Sequence, residues 1–313
     1  MQQIFNGVKK LIALIVMSIA FSMLTLFPDG GADGKISEFV DVNGDKAYIP
    51  AGFTVSEKAD ERTIGLGLVV IGPDGSEFVW IPTGKTPLKR RDFHCDFYGS
   101  MNSIDEYYDE TDRADYRAMA ASVAKYGGFY MGRYEATRGG GSSLTDSYPA
   151  SRRVTANRPG RIWVRISPED ATRVCANIYR DNPTVQGFFP WGANWDTMLQ
   201  WLVDSGAKTL HDIAEDSTPW GNYSNCRFGG DAAARYTGAY EQAKVNNLYD
   251  LAGNNWHWTQ ERYGRGSYVL RGGGATLMGG PCRGDHCPAA IRDPLPGSKY
   301  HPNVSFRVAL FLK

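Results

Sequence analysis

The sequence predicts an α+β fold in which two main helices and several short strands are joined by long irregular loops. Helix signals are confined to a few segments, and the short β-rich runs do not alternate with them. The second half of the chain has few helix signals and many Gly and Trp residues. Because a doubly wound α/β sheet needs a helix after nearly every strand, these observations favour helices and strands that pack separately.

The composition is that of a soluble globular protein without excess charge. The chain has 313 residues, of which 42% are hydrophobic and 22% charged. This length suits one large domain, or one domain with an appendage. The charges of the 34 basic and 34 acidic residues cancel, so the formal net charge is zero. Because nucleic-acid binding requires a basic surface, we expect no nucleic-acid partner.

An apolar run near the N-terminus predicts export or membrane attachment. Residues 11–27 are interrupted only by Ser and Thr, and Lys9 and Lys10 precede them. The run just reaches the length of a membrane span, and the Lys pair predicts that residues 1–10 are a cytoplasmic tail. The run is either an uncleaved anchor or a signal peptide. After the linker at 28–35, the chain is expected on the extracellular face of the membrane, secreted, or on a virion surface.

Residues 36–88 are predicted to form a β-hairpin region packed on the main domain. A short strand is expected at 48–55. Two β-rich runs, 66–71 and 77–81, flank Gly72-Pro73-Asp74-Gly75. Since Pro restricts φ and Gly permits positive φ, this tetrapeptide predicts the turn of a hairpin.

The main domain is predicted to span residues 89–313. A helix near 113–125 precedes a strand at 129–137. The two main helices are expected at 167–180, which begins with a capping Ser and a Pro, and at about 195–204, where large apolar residues recur on one face.

The last part of the chain combines regular and patternless segments. An aromatic block at 246–259 is followed by two probable strands, 268–273 and 304–312. Between these strands lie about thirty residues, rich in Gly, Pro, Ser, His, Tyr and Arg, in which hydrophobic residues do not recur at a regular spacing. Because binding surfaces are usually loops on a rigid scaffold, this contrast indicates a binding surface.

Several ordered sequence blocks carry a resemblance to a known family. Over roughly residues 75–313, the chain resembles the formylglycine-generating-enzyme (sulfatase-modifying factor) branch of the C-type lectin fold. The resemblance implies that fold, with short strands, two main helices and long loops. The blocks are Gly128–Thr137, Trp195-Asp196, Ser217-Thr218-Pro219-Trp220-Gly221-Asn222-Tyr223, Asn247-Leu248-Tyr249-Asp250-Leu251-Ala252-Gly253-Asn254, Leu270-Arg271-Gly272-Gly273 and Phe306-Arg307-Val308-Ala309.

The enzymes of this branch resemble copper oxidases that hold Cu(I) with two cysteines in the loop after the Arg-Gly-Gly strand. Aligning that loop places Cys282 near the second cysteine, whereas Leu277 falls near the first and cannot ligate copper. His257 stands where the enzymes carry a glutamate associated with calcium, and His is a poor replacement for a hard oxygen ligand. We therefore expect no catalytic residue, no metal and no cofactor, with an oxidase or other sulfatase-modifying enzyme as the alternative.

Within this branch, the chain is most similar to the variable proteins of diversity-generating retroelements. In those proteins a C-terminal loop is rewritten at template adenines, largely at Asn-type codons, and the resulting surface binds diverse ligands. The resemblance places a variable ligand-binding region at about 255–307, where many residues are of types that an Asn codon yields when its adenines change. The predicted ligand-binding positions are Gly264, Arg265, Gly266, Ser267, Gly274, Leu277, Pro281, His286, Pro288, Leu295, Gly297, Ser298, Tyr300 and His301.

A second set of residues is predicted to hold the loop backbone in place. Met278 and Lys299 are not reachable from an Asn codon and are also expected to be fixed. The predicted scaffold residues are Trp256, Trp258, Arg271, Gly272, Gly273, Arg292, Phe306 and Arg307.

The resulting hypothesis is a surface-displayed protein that binds an unknown protein or glycan on another cell or virus, and is attached to the membrane through residues 11–27. A viral receptor-binding protein that uses the same module is a further alternative. The sequence leaves the oligomeric state open.

Some local readings also stay open. Cys282 and Cys287 either form a disulfide or are free thiols. Asp250 with its neighbouring Asn residues either holds a cation or bonds its own backbone in turns. The tripeptide Arg283-Gly284-Asp285 resembles an integrin-binding sequence, which Gly-rich loops also produce by chance. The loop histidines are either ligand groups or merely solvated.

Overall fold

The computed structural model describes residues 34–93, 109–139, 149–154, 162–225, 236–277, 280–298 and 300–313. They form an α+β fold of short strands, few helices and long loops, as predicted. The predicted tail and anchor at 1–27 lie outside the described residues. In the part of the chain that is described, no helix is long and apolar enough to cross a membrane.

The larger sheet has six antiparallel strands in the order β3-β4-β5-β6-β18-β9. The C-terminal strand β18 therefore lies in the interior of this sheet, between β6 and β9. The strand bounds are β3 Thr54–Val55, β4 Val69–Ile71, β5 Glu77–Pro82, β6 Gly128–Gly132, β9 Val185–Phe188 and β18 Ala309–Leu312. Strands from both sides of the predicted boundary at residue 88 thus share one hydrogen-bonded sheet.

The smaller sheet has four strands in the order β16-β13-β12-β17 and carries much of the predicted binding region. Its strands are β12 Trp256–Tyr263, β13 Ser267–Arg271, β16 Asp293–Pro296 and β17 Val304–Ser305. Strand β12 pairs antiparallel with β13 and parallel with β17, and β13 pairs antiparallel with β16.

Four two-stranded ladders complete the described strands. They are β1 Ser37–Val40 with β2 Lys46–Ile49, β7 Thr137–Arg138 with β8 Pro149–Ala150, β10 Lys244–Val245 with β11 Leu248–Tyr249, and β14 Thr276–Leu277 with β15 Gly280–Pro281.

Four α-helices are present in the described ranges: α1 Ala114–Tyr126, α2 Pro168–Asn177, α3 Gly192–Asp204 and α4 Leu210–Ala214. The expected cap of α2 is confirmed, because the Ser167 hydroxyl accepts a hydrogen bond from the Asp170 N–H at 3.0 Å. This helix ends three residues before the predicted Arg180, and Tyr179 has a φ of 53°.

Helix α3 begins at Gly192, three residues before the predicted start. The reason is a tertiary contact: the buried Glu110 carboxylate accepts hydrogen bonds from the backbone N–H groups of Gly192 at 2.8 Å and Ala193 at 3.1 Å. Such acceptors satisfy N–H groups of the first helical turn that have no partner within the helix. Nothing in the local sequence of α3 signals this partner.

Four predicted strands are shorter than expected or divided. The expected strand at 48–55 is split at Gly52, which has a φ of 79°, and the one at 268–273 stops at Arg271 before two glycines of positive φ. The strand predicted at 129–137 ends at Gly132, and the one at 304–312 divides into β17 and β18. In the first two cases the left-handed backbone cannot continue a ladder.

One hydrophobic core contains residues from the larger sheet, the smaller sheet and the helices, and it supports the site. Trp195, Trp220, Trp256 and Trp258 are all buried in it, as predicted. His257 is fully buried as well, so β12 is covered on both faces at this point. The aromatic block therefore belongs to the interior of the fold.

Candidate ligand-binding site

A buried cluster of four charged side chains supports the strands of the predicted binding region. Arg271 donates to Asp196 at 2.6 Å and to Glu261 at 3.2 Å. Arg292 donates to Glu261 at 3.0 Å and also to Asp196. Arg90 also lies 3.8 Å from Glu261, and the cluster joins β13, β12 and α3 to the segment before β16. These predicted scaffold arginines therefore bind the frame itself and not an external anion.

Arg307, another scaffold residue, lies between β17 and β18 and contacts the ends of β6 and β11. Its guanidinium donates to the backbone carbonyl of Gly132 at 3.0 Å and to that of Tyr249. It is buried with Glu135, whose pKa is raised to about 8, mainly by burial. Burial also lowers the pKa of His257 well below its ordinary value, so the imidazole is neutral.

The polar residues of the aromatic block make internal hydrogen bonds. Asp250 accepts from the Thr237 hydroxyl at 2.8 Å and from the Gly238 N–H at 2.7 Å. Asn254 has a φ of 61° and donates its side-chain amide to Glu135. No group of three or more His, Cys, Asp or Glu residues within the described ranges is arranged to hold a metal ion. These contacts are with residues distant in the sequence, so Asp250 and Asn254 join the aromatic block to other parts of the fold and do not bond their own backbone in turns.

The two scaffold glycines occupy positions that other residues cannot. Gly272 and Gly273 have φ values of 84° and 64°. A Cβ atom on Gly272 would lie 2.9 Å from Nδ1 of His257, and one on Gly273 would lie 2.1 Å from the carbonyl oxygen of Cys287. Backbone conformation and close packing both require glycine here.

A disulfide closes the loop that contains the tripeptide Arg283-Gly284-Asp285. Cys282 and Cys287 are bonded to each other. Inside the loop, Arg283 pairs with Asp285 at 2.7 and 3.0 Å, and a Cβ on Gly284 would lie 2.3 Å from the Thr218 nitrogen. The charged groups of the tripeptide thus pair with each other. His286, a predicted ligand position, is partly exposed in the same loop.

Six predicted ligand positions come together where the β12–β13 turn meets the end of β16, and we call this surface the hairpin end. The turn and the end of β16 are joined by a 3.0 Å hydrogen bond from the Gly297 N–H to the Gly266 carbonyl. Arg265 and Ser298 are exposed, whereas Gly297 is buried against the Tyr268 ring. The hairpin end comprises Gly264, Arg265, Gly266, Ser267, Gly297 and Ser298.

A narrow cleft of about 10 Å³, which is room for one water molecule, opens beside the hairpin end, on one face of the smaller sheet. Leu270 lies opposite Asp293 in the ladder and Trp256 opposite Val304, so all four strands contribute to its walls. Leu295 and His301 are predicted ligand positions in the cleft. The full lining is Trp256, Leu270, Thr276, Asp293, Leu295, His301, Asn303 and Val304.

Two polar groups of the cleft lack a partner among the described residues. The Asp293 carboxylate forms no hydrogen bond or ion pair with them, and burial raises its pKa to about 6. The Trp256 Nε1–H group is fully buried and also has no acceptor there. A buried polar group without a partner costs free energy, which a ligand can recover.

The remaining predicted positions differ in how far a ligand can reach them. Tyr300 has 59% of its surface exposed. Gly274 and Pro288 are buried, and a Cβ on Gly274 would lie 2.6 Å from Cδ1 of Trp256. Their burial argues against direct ligand contact at these two positions. Leu277 and Pro281 lie on opposite strands of the β14–β15 ladder, where Leu277 pairs with Gly280 and Pro281 with Thr276, and their side chains lie outside the described residues.

The sequence prediction missed three polar residues of the cleft, namely Thr276, Asp293 and Asn303. A signal for them existed, since Thr and Asp are reachable from an Asn codon by changing its adenines and Asn303 is itself Asn. What the sequence could not show is that the ends of four strands bring these residues around one opening.

No protein-family model and no curated protein matches the chain. Among solved structures, it is similar to variable protein 1 of Treponema denticola, with a TM-score of 0.38 and 15% identity over 58% of this chain and 84% of that one. It is also similar to CarF, with a TM-score of 0.38 and 18% identity over 59% of this chain and 87% of that one. Both are distant likenesses of fold to structures of low sequence identity.

Proposed function

We propose that this chain is a ligand-binding protein whose binding surface consists of the hairpin end, the cleft and the exposed Tyr300. The proposal rests on one observation: the residues that hold the fold together differ from those that are exposed on its surface. The scaffold residues are buried and bonded to one another, as in the cluster of Arg271, Arg292, Asp196 and Glu261. Chemically varied side chains project from the turns that this frame supports.

A frame of this kind allows the binding surface to be changed without loss of the fold. Exposed substitutions away from special backbone positions usually change stability by about 0.5 kcal/mol or less, whereas core changes cost several times more. A preorganised backbone also lowers the entropy cost of binding. We therefore propose that a retroelement diversifies the exposed positions while the scaffold stays constant.

The neighbouring DNA provides the test of diversification. We expect a near-copy of the codons for about residues 255–307, together with a reverse transcriptase gene. Mismatches should fall at adenines of the copy and concentrate at exposed positions such as Arg265, Ser298 and Tyr300. They should spare Arg271 and Gly272. A genome without such a copy and without the enzyme would remove the diversification claim and leave a binding module.

We further propose that the module is displayed outside the cell or virion through residues 11–27. Protease treatment of intact cells should then remove the domain while leaving cytosolic marker proteins intact. If the domain survives this treatment and fractionates with the cytosol, display is refuted. The ligand is proposed to be a protein or a glycan of another cell or virus.

A further inference from the structure

Two exposed arginines at or beside the binding surface have no partner among the described residues. Arg265 lies in the turn between β12 and β13, and Arg165 lies three residues before the start of α2. Neither guanidinium forms a hydrogen bond, an ion pair or a ring contact with the residues that the structure describes. Both side chains are therefore free to pair with a ligand.

The backbone of Arg165 is held beside a predicted ligand position. Its N–H donates to the His301 carbonyl at 3.0 Å, and its φ of 57° is uncommon for a residue other than glycine. The next residue is fixed as well, because the Ile166 carbonyl accepts a hydrogen bond from Nε1 of Trp258 at 3.1 Å. The Arg165 side chain thus leaves a fixed backbone that is bonded to the segment of His301 and the exposed Tyr300.

The acidic side chains of this surface are engaged or partly buried. Burial, together with a hydrogen bond to Glu169, raises the pKa of Tyr268 to about 12, so the Glu169 carboxylate has a partner. Asp293 lies in the wall of the cleft, where there is room for one water molecule. Arg262 is also engaged, since its guanidinium stacks on the Tyr268 ring. The exposed charges without a described partner on this surface are therefore both positive, although the formal net charge of the whole chain is zero.

We propose that this surface binds an acidic segment of a protein ligand, whose carboxylates pair with Arg165 and Arg265. This assignment rests on the proposed binding function and names the class of its ligand. A planar guanidinium matches a carboxylate with two parallel hydrogen bonds, and such charge-assisted bonds are roughly twice as strong as neutral ones. The same surface exposes Gly266, Ser298 and Tyr300, and antibodies use these residue types to bind proteins.

The two arginines differ in whether diversification reaches them. Arg165 lies outside the predicted variable region at about 255–307, whereas Arg265 is one of its predicted positions. Arg165 is therefore a constant contact that every variant keeps, and it favours acidic ligands throughout the set. Arg265 adds a second contact that belongs to this variant.

The test compares two peptides that differ only in charge. The full chain in detergent is titrated into labelled, N-acetylated and C-amidated hexaglutamate or hexaglutamine at low salt, and fluorescence anisotropy measures binding. We expect saturable binding of hexaglutamate and at least about tenfold weaker binding of hexaglutamine. The affinity for hexaglutamate should fall as salt is added, because interactions between exposed charges are screened.

Variants assign the contact to Arg165. Arg165→Gln should weaken hexaglutamate binding at least about threefold, and Arg165→Lys, which keeps the charge, should lose less. Arg180→Gln removes an exposed arginine beyond the opposite end of α2 and should leave binding unchanged. Equal binding of the two peptides by the unaltered chain, or no binding of either, would overturn the proposal. Equal losses in Arg165→Gln and Arg180→Gln would overturn the role of Arg165.

A third probe distinguishes a protein ligand from an acidic glycan. Hexagalacturonate carries the same number of carboxylates as hexaglutamate, but on a sugar chain. Tighter binding of hexaglutamate supports a protein ligand, and tighter binding of hexagalacturonate would overturn that assignment in favour of a glycan.

The DNA test of diversification is independent of these measurements. Hexaglutamate binding without a template copy keeps the acidic ligand and removes diversification. A template copy without a preference for hexaglutamate removes the acidic ligand and keeps the proposed function.

Discussion

Arg271 and Asp196 form a fully buried ion pair, with 2.6 Å between Nη2 and Oδ1, across 75 residues of sequence. The pair fixes the end of β13, where the chain turns into the binding loops, to helix α3. The loops therefore leave a strand that is held by the core of the protein.

Breaking this pair should be strongly destabilising. In Arg271→Met, the carboxylates of Asp196 and Glu261 lose a buried cation, and we expect a loss of about 3–5 kcal/mol in the free energy of unfolding. Arg283→Met, which breaks an exposed pair with Asp285, should cost less than about 1 kcal/mol. Urea unfolding of both variants measures the difference. Similar losses in the two would show that the buried cluster does not support the frame.

A comparison of two glycines separates backbone strain from close packing. Gly272 and Gly266 have nearly equal φ values of 84° and 86°. A Cβ on Gly272 would lie within 3.3 Å of His257, Leu251 and Trp195, whereas nothing lies within 4 Å of one on Gly266.

We therefore expect Gly266→Ala to cost about 1–2 kcal/mol, from backbone conformation alone. Gly272→Ala should cost at least about 2 kcal/mol more, because overpacking adds to the same strain. Thermal unfolding followed by circular dichroism measures both. An equal cost would mean that the packing around Gly272 yields easily, and the position would then be open to variation.

The Asp293 carboxyl group should make stability depend on pH. Its pKa is raised to about 6 by burial, so the folded protein holds a proton there that the unfolded chain releases nearer pH 4. The free energy of unfolding of the wild type, relative to Asp293→Asn, should therefore fall as pH rises from about 4 to 6 and level off above.

Asp285 provides a control of opposite sign, since its hydrogen bonds with Arg283 lower its pKa. Stability relative to Asp285→Asn should fall as pH drops below about 4. Urea midpoints measured between pH 3 and 8 follow both effects. A pH-independent difference between the wild type and Asp293→Asn would show that this carboxyl titrates normally.

We expect that the chain does not bind copper in the way of the oxidases that its sequence resembles. The enzyme site requires two thiolates, and Cys282 is bonded to Cys287 while Leu277 occupies the other expected position. Titration with Cu(I), followed by an activity assay on a Cys-containing peptide, is expected to show neither stoichiometric tight binding nor oxidation. Tight binding that depends on both Cys282 and Cys287 would restore the enzyme hypothesis.

Local signals in the sequence determined much of the architecture. The Gly72-Pro73-Asp74-Gly75 turn, the Ser167 cap and the glycine pair after Arg271 were recognisable because each acts over a few residues through φ restriction or a hydrogen bond. For the same reason, the α+β class could be predicted from the residues and the resemblance, whereas the scaffold assignment stays a prediction.

The environment of each binding residue was decided only by the tertiary structure. Gly274 and Gly266 are the same residue type in the same region, yet one packs against Trp256 and the other has open space around its backbone. Among the described residues, Asp293 has no ion-pair partner, and the residue opposite it in the ladder is the apolar Leu270. The burial of a residue depends on which distant strands come together. A turn or a helix cap depends on neighbouring residues, so the local sequence predicts turns and caps but not burial.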